Sequence, residues 1–367
     1  MKTEGVIHAA WQTVRVNKML LLLPLTPLPL VLHAVMPDAH TFLFVISILS
    51  ILPLTVILAL ATEQLAARTG DTIGGLLNAT LGNLSELIIA LAALKAGEYL
   101  LVKASLAGAI VTNTLFLVGM SFFLGGLRHN LQKFNSALTR VQSVLLFLAA
   151  FGLLFPSAIA ATDLQVLPQS LSVAISVILL GVYGLSLVFT LGTHRKFFSA
   201  AATAHAESGQ EWPVVTAVII LCAATVMVAL VSEVFIESLN GAAATLQLTP
   251  AFVGFIVVAV VGAASAMTAA FKAARADRLD LSIGISLGSA VQIALFVAPV
   301  LVLLSHVIGP TPMSLQFWPG AVVMIFIAAL TAALTTSSGR SAWFVGVLLL
   351  MVYAIFATTL FVMPPTH

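Results

Sequence analysis

The sequence predicts an all-α polytopic membrane protein of about eleven transmembrane helices, one N-terminal helix followed by two inverted five-helix repeats. Three observations predict it. First, 60% of the 367 residues are hydrophobic and 8% are charged, against roughly 25% charged in an ordinary soluble domain. Second, eleven apolar runs are each about the 20 residues that cross a bilayer as a helix. Third, sorting Lys and Arg by alternate gaps puts 13 on one side and 2, Lys95 and Lys103, on the other. By the positive-inside tendency the amino terminus and the 193–212 loop are cytoplasmic, and the carboxyl terminus lies outside. An even number of spans would break that asymmetry.

In order, the runs lie near 18–36, 41–62, 73–95, 100–127, 138–161, 166–192, 213–238, 250–273, 280–307, 318–336 and 341–363. Lys2, Arg15 and Lys18 precede the first run, which Pro24, Pro27 and Pro29 make irregular. No small-residue cleavage pattern follows it, so we read a retained first span rather than a signal peptide. The longest polar gap, 193–212, separates spans 2–6 from spans 7–11. The domains expected are 1–39 (N-terminal segment and first helix), 40–192 (first repeat), 193–212 (cytoplasmic loop) and 213–367 (second repeat). Five spans on each side is an odd number, so homologous halves must face opposite ways across the membrane, the inverted-repeat plan of many secondary transporters.

An offset of 180 residues places Gly74 on Gly254, Gly82 on Gly262, Ser85 on Ser265 and Gly108 on Gly288. "IGGLLNATLGNLSEL" thereby aligns without a gap on "VGFIVVAVVGAASAM", and both copies occupy the second and third spans of their half. Small residues at these positions also let helix backbones approach closely in lipid.

Of the 13 acidic residues, Glu86, Glu233 and Glu237 lie within apolar runs, and Glu63 lies at a cytoplasmic edge. An intramembrane carboxylate costs at least about 2.5 kcal/mol to insert, which makes it a functional candidate by default. Asn83 and Ser85 flank Glu86; Asn113 lies on span 4, and Ser289 and Gln292 lie on span 9. Carboxylate, amide and hydroxyl oxygens suit a hard cation such as Ca²⁺ and suit soft metals poorly. A midplane cation site between spans 3, 4, 8 and 9 is expected. Glu233 and Glu237, four apart, share one face of span 7. Cys222 is read as a buried small hydrophobe, and Lys95 and Lys103 as solvated.

Residues 62–129, from "TEQLAARTGDTIGGLLNATLGNLSEL" to "FLGGLRH", resemble the first repeat of the Ca²⁺/H⁺ antiporter family of CAX type, within the cation/Ca²⁺ exchanger superfamily; "DLSIGISLGSAVQIALFVAPVLVLL" is similar to the helix that follows its second repeat. The resemblance implies export of cytosolic Ca²⁺ in exchange for H⁺ by alternating access. It places Gly82, Asn83 and Glu86 in the family's first Gly-Asn-x-x-Glu motif, and Asn113 and Gln292 at its neighbouring polar positions. Glu63 and Glu233 match acidic positions that the family carries near the ends of the corresponding helices, where a proton relay is expected, and Glu237, on the same helix face as Glu233, is counted with them. The setting implied is a bacterial inner membrane.

One departure stands out. Where the second motif should run Gly-Asn-x-x-Glu-His from Gly262, the chain reads "GAASAM", with Ala263, Ala266 and Met267. The interval from Gly262 to Gly288 equals that from Gly82 to Gly108, so realignment does not restore the carboxylate. Glu233 or Glu237 could replace it, the exchanger could prefer a monovalent cation, or transport could be lost and a membrane scaffold or sensor remain. The spans hold no nucleophile–base pair, so no enzyme is expected. No cofactor is implied beyond the transported Ca²⁺ and H⁺. The partners are membrane lipid and these cations, a homo-oligomer is compatible, and the net charge of +2 gives no basis for nucleic acid.

Overall fold

The computed structural model describes residues 18–160, 169–193 and 212–365. The predicted segment before Lys18 and nearly all of the midchain loop lie outside them. A 3₁₀ turn, Lys18–Leu25, leads into α1 (Leu28–Val35), and together they make the first span. Pro24 sits inside that turn, and its missing N–H keeps the chain out of α-helix. The first half continues with α2 (His40–Arg68), α3 (Asp71–Leu81), α4 (Leu84–Lys95), α5 (Tyr99–His129), α6 (Ser136–Ala160) and α7 (Gln169–Thr193). The second half has α8 (Val214–Leu246), α9 (Pro250–Gly262), α10 (Ala264–Arg275), α11 (Leu279–Leu304), α12 (Pro319–Thr336) and α13 (Trp343–Val362).

Ten described helical spans are long and apolar enough to cross a bilayer, with α3 and α4 forming one of them, and the bent pair α9–α10 makes the eleventh. Contacts between chain ends test that number, because only segments on the same face of a membrane can touch. On one face Lys95 pairs with Glu233 at 2.7 Å, Asn240 donates to Glu98 at 3.2 Å, and the Tyr99 hydroxyl donates to the Thr311 carbonyl at 2.6 Å. On the other, strand β1 (Leu131–Lys133) pairs antiparallel with β2 (Arg340–Ala342). There, Gln132 also donates to Ala274 O at 3.0 Å and to Asp277 at 2.8 Å. Every one of these contacts joins loops after odd-numbered spans with each other, or loops after even-numbered spans with each other, as eleven membrane crossings require.

The packing repeats itself about a pseudo-two-fold axis. Helix α2 lies along α8, the first helices of the two halves, with Phe44 stacked on Phe235 at 5.2 Å. Helix α6 packs on α12, and α5 meets α13 as α11 meets α7. At the centre α5 crosses α9 in backbone contact. A methyl on Gly254 would come within 2.8 Å of the Leu101 carbonyl, and one on Gly108 would overlap the Phe255 backbone. Glycine alone permits that approach.

Two expectations for single residues are corrected. Cys222 is exposed on the outward surface of α8 rather than buried, since its place on the helix turns it away from α2. Lys103 is half-buried rather than solvated, and its ammonium donates to Ser314 Oγ at 3.2 Å. One turn into α5, its long side chain must run back along the helix to reach a polar partner.

Candidate functional site

The third span is broken at Gly82–Asn83, where Asn83 leaves helical geometry at φ −114° and ψ 35°. In the second half the matching break falls at Ala263, and the axis bends by 58°. The two breaks meet: a methyl on Gly262 would lie 2.8 Å from Glu86 Cγ, so the backbone of the second copy rests against the carboxylate stem of the first.

Breaking the helix in the first copy redirects its hydrogen bonds. The Ala79 carbonyl, which an unbroken helix would offer to the Asn83 N–H, accepts from the Tyr183 hydroxyl at 2.5 Å and from the Gln292 side-chain amide. Gln292 thus pins the broken helix while its Oε1 faces Gly82, 3.3 Å from where a methyl would sit. In the second copy the corresponding carbonyl, Ala259, stays within its helix and accepts from the Ala263 N–H at 3.1 Å.

Around the break lies a nest of oxygen and nitrogen atoms. Ser85 Oγ donates to Glu86 Oε2 at 2.9 Å, Ser289 Oγ donates to Asn83 Oδ1 at 2.7 Å, and Asn113 Nδ2 donates to Ser289 Oγ at 3.2 Å. This chain leaves Asn113 Oδ1 and Asn83 Nδ2 buried without partners. A buried polar atom with no partner costs about 1–3 kcal/mol, and a carbonyl oxygen left so is what a cation would complete. Helices α5 and α11 both widen into π-helical turns here, over Thr112–Leu117 and Ile293–Val297. Such bulges recur at functional sites because they displace side chains from regular helical positions.

All six expected cation-site residues, Glu86, Asn83, Ser85, Asn113, Ser289 and Gln292, therefore converge on the break from three spans. Glu233 and Glu237 do not join them. Glu233 is tied to Lys95, nine residues and about 14 Å along α4 from Glu86. Glu237 is more than half exposed and faces His33 at 3.3 Å. The expectation that either could complete the site is corrected, since α8 carries them to the face where α4 ends. Glu63 is half-buried near the end of α2. Replacing Glu233 with glutamine should leave the cation-driven rate within about twofold of wild type, because exposed ion pairs contribute little. A loss beyond tenfold would put Glu233 back on the transport path.

Sequence reasoning missed Tyr183, whose signal was a lone phenol in an apolar span, and it missed what fills the second half-site. Ala263 and Met267 pack with Leu117, with Phe116, Val260, Ala266 and Phe271 around them. Phe116 also lies 5.3 Å from the ring of Tyr353. Among the described residues no three of His, Cys, Asp and Glu come together anywhere.

Comparison with known proteins bears on this arrangement. The profile of the family described as "Sodium/calcium exchanger protein" matches residues 39–192 and 216–362. The chain is 39% identical to a Ca²⁺/H⁺ antiporter of Synechocystis sp. over 89% of its length and 92% of the relative. It is 36% identical to the Ca²⁺/H⁺ antiporter ChaA of Bacillus subtilis, covering 95% of this chain and 100% of that one. Among solved structures, the Ca²⁺/H⁺ antiporter protein YfkE superposes with a TM-score of 0.81 at 34% identity, over 95% of this chain and 100% of that one.

Proposed function

Because the chain belongs to the sodium/calcium exchanger family, an integral membrane family of transporters, we propose that it is a Ca²⁺/H⁺ antiporter exporting Ca²⁺ from the cytosol by alternating access. The observation that carries this reading is the half-buried Glu86 at a helix break, hydrogen-bonded by Ser85, with the Asn113–Ser289–Asn83 hydrogen-bond chain and the Gln292 side chain gathered at the same break. This is the donor set a hard divalent cation prefers. Glu86 is the one group in the set that exchanges a proton for a metal ion at ordinary pH. Protonated, it releases H⁺ as Ca²⁺ arrives; once Ca²⁺ has left, it takes up H⁺ on the other side. The same carboxylate cannot hold both, and that exclusion couples the two fluxes.

The orientation follows from charge. With the Lys- and Arg-rich loops in the cytosol, the amino terminus is inside, the carboxyl terminus outside, and the setting is a bacterial cell membrane.

The test is gradient collapse in everted vesicles. Added Ca²⁺ should dissipate an imposed pH gradient in vesicles containing the protein and leave control vesicles unchanged. A response to Na⁺ or K⁺ with none to Ca²⁺ would replace the divalent reading with a monovalent one. Folded protein that answers no cation would be a scaffold.

A further inference from the structure

We propose that a trough between α6 and α12 binds one anionic phospholipid, its phosphate on Arg140 and an acyl chain laid along Val144 and Phe147. The trough encloses about 260 Å³ and is lined from α6 by Arg140, Ser143, Val144 and Phe147 and from the end of α12 by Ala333, Thr336 and Ser337. Small-molecule sites usually exceed about 300 Å³, so this one admits a stretch of chain rather than a whole lipid. None of the cation-site residues lines it, and the proposal stands apart from the Ca²⁺/H⁺ reading.

The chemistry of the walls selects an amphiphile. Thr336 Oγ1 donates to the Ala332 carbonyl at 2.7 Å, which leaves Ser143 as the donor in the 3.3 Å bond between the two hydroxyls. Ser337 Oγ donates to the Leu334 carbonyl at 2.8 Å. With these hydroxyl protons committed inside the protein, Arg140 is the lining side chain that still has N–H donors to offer. Its exposed guanidinium makes no hydrogen bond or ion pair among the described residues. A free phosphate would gain one cation there and otherwise meet hydrocarbon. A phospholipid brings an anion for Arg140 and a chain for Val144, Phe147 and Ala333.

Depth in the membrane agrees. Arg140 is one turn into α6, about 6 Å from its start at Ser136. Phe147 lies about 10 Å deeper, where its ring is 5.4 Å from that of Phe326 on α12. The cation is thus at headgroup level and the apolar wall in the hydrocarbon. Lys133 and Arg340, exposed cross-strand partners in β1 and β2, add positive charge at this end of the bundle. Asp277 and Asp280 do not line the trough and are engaged by Gln132 and the Asn135 N–H. Basic pockets between spans are where anionic headgroups bind.

Native mass spectrometry of the full chain in detergent, titrated with phosphatidylglycerol or with phosphatidylcholine of the same acyl chains, tests the site. The first phosphatidylglycerol should bind about fivefold more tightly than phosphatidylcholine, and Arg140→Gln should erase that preference, the effect of one basic residue near an anionic surface. Lys272→Gln, at an exposed position on α10 outside the trough, should keep it. Ala333→Phe, which fills the trough, should weaken both lipids. Equal losses from the Arg140 and Lys272 variants would mean diffuse surface charge, and no headgroup preference in wild type would mean ordinary lipid contact. Inorganic phosphate that displaces the lipid at equal concentration would mean a free-anion site. A folded Ala333→Phe variant that binds both lipids as before would place the chain elsewhere. Each of these four results overturns the proposal. If Ala333→Phe fails to fold, the headgroup comparison with Arg140→Gln still decides, because that side chain is exposed.

Discussion

Replacing Glu86 with glutamine is expected to leave a folded protein that no longer collapses a pH gradient when Ca²⁺ is added. The change keeps the size of the side chain and its hydrogen bond from Ser85, so packing around the break should survive. What disappears is the negative charge. Removing one partner of a buried charge pair costs on the order of 3–5 kcal/mol, which at about 1.4 kcal/mol per decade is a loss of roughly 10²–10³-fold in Ca²⁺ affinity. The variant also cannot exchange a proton, so gradient-coupled flux should vanish even at saturating Ca²⁺. Scintillation or dye-based Ca²⁺ binding, alongside vesicle transport, separates the two losses. In wild type, proton and Ca²⁺ compete for one carboxylate, so apparent Ca²⁺ affinity should fall as pH is lowered, approaching tenfold per pH unit once Glu86 is mostly protonated. An affinity that does not change with pH, or a glutamine variant that still transports, would remove Glu86 from the coupling step.

Gly108→Val should be the most damaging substitution outside the cation site. Its added carbon would overlap the carbonyl, Cα and carbonyl carbon of Phe255, all backbone atoms of α9. Backbone cannot rotate aside as a side chain can, so α5 and α9 must separate along the crossing that also seats Gly254 against Ala104. Overpacking of this kind costs about 3 kcal/mol or more when no side chain can yield. The yield of monodisperse protein in detergent should collapse and the melting temperature of any remainder should fall. Gly181→Ala provides the contrast, since nothing lies within 4 Å of its added methyl, and alanine is the better helix former by about 1 kcal/mol. That variant should be at least as stable as wild type. Equal stability of the two variants would mean that α5 and α9 do not rely on the glycine contact.

Much of this was legible before any coordinates. Runs of 20 apolar residues betray spans because every backbone group in lipid must be bonded within its own segment, and ten of the eleven expected runs appear as straight or gently broken helices. Glu86 was legible because a carboxylate in an apolar run is costly enough to demand a reason. Asn113 and Gln292 were legible only in part. Their residue types suggested ligation, yet Gln292 turned out to secure the Ala79 carbonyl as well. Tyr183 was not legible, because its role arises from a helix break 104 residues away in sequence.

The sequence by itself determined the membrane class, the span number, the inverted halves, and the survival of one carboxylate where the register expects two. These follow from local composition and spacing, which the bilayer translates directly into helices. Only the tertiary structure decided what each polar residue meets. It placed Glu233 on Lys95 instead of beside Glu86, turned Cys222 outward, and closed Ala263 and Met267 into an apolar cluster against Leu117. Such assignments depend on which helix faces which, and pairwise contact between distant spans leaves no trace in local periodicity.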